Sequence, residues 1–213
     1  MALDSQEMEE GLMTQFLMAQ MDYVLFFYGL SFIILAGVCI VIMRKRGGLS
    51  WLLLGLFGLT HGLNEWLDLF SVTFDDSSFF SGVRYLLLFV SFIFLTEFGR
   101  RGTASWKSIG RLIYVPLGLL AFSGGFFGLA ALDATTRYAF GLIGGIWASF
   151  ALYLESKRQN PLCSKKWIAA GSASLALYAF ASGGVPSCAP FFPATLINHH
   201  SFLAVFGVPI HLI

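Results

Sequence analysis

The stretch His61-Gly62-Leu63-Asn64-Glu65-Trp66-Leu67-Asp68 holds the residues best spaced to do chemistry together. A helix advancing about 100° per residue sets His61, Glu65 and Asp68 within roughly 60° of one another, with Asn64 bordering that face. An imidazole and two carboxylates are ligand types for zinc, copper or iron. A second imidazole on a facing helix, with aromatic walls, would suit a b-type haem. Without a cofactor, the same face suits a polar ligand or a proton, or forms a purely structural network. His199 and His200 open the last apolar segment; consecutive helical residues point about 100° apart, so at most one shares the interior with His61. The metal or haem ligand candidates are therefore His61, Glu65, His199 and His200. Arg84, early in the third apolar segment, falls level with Asp68 and is its natural neutralising partner, so Asn64, Asp68 and Arg84 make up a polar network. His211, behind Pro209, lies too far from His199 to share a mononuclear site. No residue is assigned to catalysis: His-Glu-x-x-His, Gly-x-Ser-x-Gly and Walker patterns are all missing.

These residues must be positioned by membrane helices. Of 213 residues, 57% are hydrophobic and only 12% charged, against about a quarter charged in soluble domains. The apolar residues come in long blocks parted by short polar loops, the pattern of an all-α, multi-span membrane protein. The blocks run over about 23–43, 51–74, 79–98, 112–132, 138–154 and 167–185, and a seventh starts near His199. Asp75-Asp76 and Asp133 read as stops after the second and fourth. Eleven of the thirteen Lys and Arg fall in the loops after blocks 1, 3 and 5, all but Arg84 and Arg137. The positive-inside rule then puts those loops in the cytoplasm and the N-terminus outside a bacterial inner membrane. The expectation is a seven-transmembrane-helix bundle over 22–213, preceded by an extracytoplasmic, acidic, Met-rich segment over 1–21. Met8, Met13, Met18 and Met21 there serve as flexible packing or as soft ligands for Cu(I). About thirteen residues follow His200, short of the roughly 20 that cross a bilayer. The last helix therefore reads as truncated, with its continuation emerging in the cytoplasm.

Other features are structural readings. Net charge is +1, which gives no field for nucleic acid. The acidic N-terminus is no signal peptide, Ala2 replaces the glycine that myristoylation requires, and no prenylation pattern closes the chain. Cys39 is a core residue, and Cys163 and Cys188 fall on opposite sides of the membrane, so no disulfide joins them. Glu97 with Arg100 and Arg101, and Glu155 with Arg158, are local helix pairs. Gly141 and Gly145 fit a small-xxx-small pattern, for packing within the chain or for a dimer face.

The run Leu25-Phe-Phe-Tyr28-Gly29-Leu-Ser-Phe, followed by Gly55-Leu-Phe-Gly-Leu-Thr-His61-Gly-Leu-Asn-Glu65-Trp66-Leu-Asp68, resembles the amino-terminal multi-span sensor region of certain bacterial signalling proteins. The closing Gly207-Val-Pro-Ile-His-Leu is similar to the start of that region's last span, which leads to PAS, histidine kinase or diguanylate cyclase modules. The resemblance implies a sensory module in the bilayer, a homodimer, that binds a small ligand or metal and signals through the last helix to a cytoplasmic output domain. Any kinase or cyclase activity would lie in that domain. A second comparison, with MHYT-type sensors, fails on the absence of a Met-His-Tyr-Thr motif. The residues leave two further readings open: a small transporter, channel or proton relay using Glu65, Asp68 and Arg84, and a haem-containing electron-transfer protein.

Overall fold

The computed structural model describes residues 20–45, 49–73, 78–104, 110–159, 162–208 and 210. Most of the Met-rich N-terminal segment, with Met8, Met13 and Met18, lies outside them, as do Asp75-Asp76, Pro209 and His211. The described residues are all-helical. Among them seven helices follow one another: α1 Met21–Lys45, α2 Trp51–Thr73, α3 Ser78–Gly102, α4 Tyr114–Ser123, α5 Leu129–Arg158, α6 Leu162–Tyr178 and α7 His199–Phe206. Short 3-10 turns lead into and out of α4. Three helices, α1, α3 and α5, are long and apolar enough to cross a membrane. α2 has comparable length, 23 residues, but gives part of it to its polar face.

Two segments differ from the sequence expectation. The fourth and fifth blocks do not divide at Asp133. The chain turns at Gly128, whose φ of 99° is open to glycine and strained for other residues. From Leu129 one helix then runs to Arg158 with Asp133 and Arg137 inside it. The cause is local neutralisation: Arg137 Nε donates to Asp133 Oδ2 at 2.9 Å, one turn away, so neither charge ends the helix. The preceding apolar piece, Arg111–Phe127, is left shorter than a span. The last helix is likewise short. Gly207 takes a left-handed conformation, φ 68°, and donates its N–H to Leu203 O at 2.8 Å, closing α7 after eight residues.

Packing follows small residues. α1 buries Leu25, Gly29, Phe32, Ala36 and Cys39, a stripe at helical spacing, against α2. A Cβ on Gly62 of α2 would stand 2.8 Å from Gly29 O, and one on Gly58 2.7 Å from Phe32 O, so the two backbones meet with no room for a side chain. α2 then packs on α3, α3 on α5, and α5 on α6. Gly141 touches Phe92 of α3 and Gly145 touches Ala179 beyond α6, so both serve packing within the chain. Phe57, Phe92, Leu95 and Phe98 fill the centre. An apolar cavity of about 510 Å³ separates α1 from α6, floored by Phe57 and Leu54 of α2.

Candidate functional site

α2 carries its polar residues into the bundle. His61 is 1% exposed and walled by the rings of Phe32, Phe57, Phe92 and Tyr178, with centroids 4.7–5.5 Å away. Both ring nitrogens are engaged. Nδ1 lies 3.1 Å from Ser91 Oγ, and Nε2 lies 2.9 Å from the Tyr178 hydroxyl. Ser91 Oγ already donates to Leu88 O at 2.7 Å, so it can only accept from Nδ1–H. Nε2 then holds the lone pair and accepts from Tyr178 O–H. This network fixes the tautomer and ties α2 to α3 and α6 across the bundle.

One turn on, Glu65 is 6% exposed, with Oε1 3.4 Å from His61 Nε2. Its other oxygen, Oε2, finds no hydrogen-bond partner among the described residues. Asp68, the next acid, pairs with Arg84 of α3: Nη1 donates to Oδ1 at 2.5 Å and to Ser71 Oγ at 3.0 Å. Asn64 Nδ2 donates to Asp68 Oδ2 at 3.3 Å. Trp66, on another face, stacks on Phe26 and donates to Phe26 O, fixing α2 on α1 rather than entering the site.

The sequence reading missed the opposite wall. α5 widens into a π-helical segment, Arg137–Leu142, and α6 continues into another, Ala179–Gly183. The two face each other, with a Cβ on Gly183 landing 2.8 Å from the Gly141 carbonyl carbon. Such segments recur at functional sites because they re-aim side chains. Here Arg137, still bound to Asp133, reaches across and donates to Ser182 O at 3.3 Å. Arg137 was legible as one of only two cations outside the loops after blocks 1, 3 and 5, but reading Asp133 as a stop set it in a loop. Tyr28 and Tyr178 carried no sequence signal that separates them from other aromatic wall residues.

Two cavities join these groups. A polar vestibule of about 290 Å³ between α2, α3 and α5 has Asp68, Arg84, Tyr85, Asp133 and Arg137 in its wall. Behind it lies a cavity of about 30 Å³, bounded by Tyr28, Glu65, Asp68, Arg137, Ser182 and His199. Asp68 and Arg137 belong to both. His199, at the start of α7, thus turns inward, and His200 is exposed. Asn198 holds that start in place: its side chain accepts from the backbone N–H of His200 and Ser201 at 3.0 and 3.1 Å.

Metal or haem does not fit this arrangement. An imidazole hydrogen-bonded at both nitrogens and sealed by four rings offers no lone pair outward and no room for a macrocycle. His200 points away. Among the described residues, no three His, Cys, Asp or Glu converge as a metal ion requires. Comparison with protein-family models, with curated proteins and with solved structures finds no match.

Proposed function

We propose that the chain is a sensory module of the bacterial inner membrane, N-terminus outside, whose helices form a multi-pass bundle around a polar receptor site. A small polar ligand enters the vestibule and competes for Arg84 and Arg137, the guanidiniums now held by Asp68 and Asp133. Both are suited to bidentate recognition of a carboxylate or phosphate. One observation carries this reading: His199, the first residue of α7, shares a cavity wall with Glu65, Asp68 and Arg137. A change in the ion pairs therefore acts directly on the last helix. α7 buries none of its residues, so little packing opposes its movement. Signal passes through α7 to an output domain on the cytoplasmic side, and a ligand biases it by binding one arrangement of the pairs better than the other.

The test uses full chain in nanodiscs with spin labels at exposed Val205 and Leu52. A panel of amino acids, dicarboxylates and phosphate esters is screened for thermal stabilisation. A stabilising compound is expected to lose its effect in Arg84→Gln and to change the label-to-label distance in wild type. A compound that stabilises through the vestibule and leaves that distance unchanged overturns the reading. Transport is the second reading, favoured by the Glu65 oxygen that has no partner among the described residues. Ion flux in liposomes that is lost in Glu65→Gln would carry it.

A further inference from the structure

We infer that Glu65 is a proton-binding site reached from the vestibule and not through the bundle centre. The polar region holds three carboxylates, Glu65, Asp68 and Asp133, and two guanidiniums, Arg84 and Arg137. Three less two leaves it one positive charge short. Asp68 takes Arg84 and Asp133 takes Arg137, so the acid left over is Glu65. It is also the acid with a buried oxygen that no described residue bonds. A buried carboxylate without a compensating cation is costly, so the site takes up a monovalent one.

The cavity decides which. About 30 Å³ beside Glu65 has room for roughly one or two waters. An alkali ion there would need several oxygens around it and would sit against the Arg137 guanidinium on the same wall. A proton needs one carboxylate oxygen, and a water in the cavity to carry it away. The groups facing Glu65 are His61 and Asp68 on α2, Tyr28 on α1, Arg137 on α5, Tyr178 and Ser182 on and after α6, and His199 on α7; Arg84 of α3 acts through Asp68. The route outward is the wall shared with the vestibule, at Asp68 and Arg137. Two directions are closed, toward the apolar cavity and toward the bundle centre. Tyr28 stands between this cavity and the apolar one, lining both. Beyond His61 lie the buried rings of Phe32, Phe57 and Phe92. On release the proton passes to vestibule water, and the new carboxylate charge faces His199. That last consequence rests on the sensory reading; the proton site does not.

The experiment is infrared difference spectroscopy of the full chain in nanodiscs across a pH series. A protonated-carboxylic-acid carbonyl band that is lost as pH rises is expected in wild type, Asp68→Asn and His199→Gln. Glu65→Gln should lack it, and Glu65→Asp should keep it at a shifted frequency, which guards against a Gln variant that fails to fold. Proteoliposomes should show no proton flux above empty liposomes. A band unchanged by both Glu65 substitutions overturns the proposal, as does one that follows sodium concentration at fixed pH. Flux that disappears in Glu65→Gln overturns the one-sided access. The spin-label distance should change with pH in wild type and not in Glu65→Gln; a pH-dependent band with a fixed distance supports the proton site and overturns α7 as the output.

Discussion

Glu97 and Glu65 are both carboxylates on long apolar helices, and they are treated oppositely. Glu97, near the end of α3, receives Arg100 Nε and Nη2 at 2.7 Å, Arg101 Nε at 2.6 Å and the Tyr114 hydroxyl at 2.7 Å. Both of its oxygens are saturated with charge-assisted bonds, and it pins α3 to the start of α4. Glu65 is the more deeply buried of the two, yet one of its oxygens has no bond among the described residues and a cavity stands beside it. Complete bonding accounts for Glu97 as a group that holds two helices together. The unsatisfied oxygen of Glu65, beside a cavity, calls for an explanation that packing does not supply.

Stability measurements can break or sharpen that contrast. The largest effect is expected at Arg137→Met, which leaves the half-buried Asp133 beside no cation; breaking a fully buried pair costs about 3 kcal/mol or more, and this partly exposed one should cost about 2–3 kcal/mol. Thermal or SDS unfolding of the purified protein reads it, and the double variant Arg137→Met/Asp133→Leu should recover most of the loss. Failure to recover would mean that Arg137 is needed elsewhere, at Ser182 or Glu65. Glu97→Gln comes next, at about 2 kcal/mol, because it strips charge from the acceptor of four hydrogen bonds at once; an unchanged unfolding midpoint would contradict its structural role. Tyr114→Phe removes a single one of those bonds and should cost about 0.6–1 kcal/mol by the same assay. Glu65→Gln is expected to shift stability least, by less than about 1 kcal/mol in either direction. If it destabilised as much as Glu97→Gln, the two acids would be alike and Glu65 would be a structural group.

The sequence showed the helical class and the polar face of α2 because both depend on short-range spacing. His61, Asn64, Glu65 and Asp68 are close neighbours on one helix, and Arg84 follows from matching depth on the next. Glu97 with its arginines was legible for the same reason. Arg137 was not, because a cation that shares a turn with Asp133 is invisible to a rule that counts charges as stops. Tyr28 and Tyr178 were hidden among 7 tyrosines and 23 phenylalanines in an apolar background. Only the meeting of α1, α2 and α6 singles them out. The division of blocks 4 and 5 was misplaced because the break lies at Gly128, and glycine in an apolar run more often marks close packing than a turn.

The π-helical stretch in α5 has the effect of one surplus residue spliced into a regular helix. Each residue turns the helix by about 100°, so the surplus offsets the two ends by about that angle. Arg137 thereby looks toward α6's own widened turn, while Gly144 and Ala148 look toward α3 as tightly packed neighbours. A periodicity scan across the whole rod averages two incompatible headings and finds neither. Removing a single residue between Tyr138 and Leu142 would restore one heading throughout, and would swing the buried guanidinium off its target without altering a single side chain that touches it.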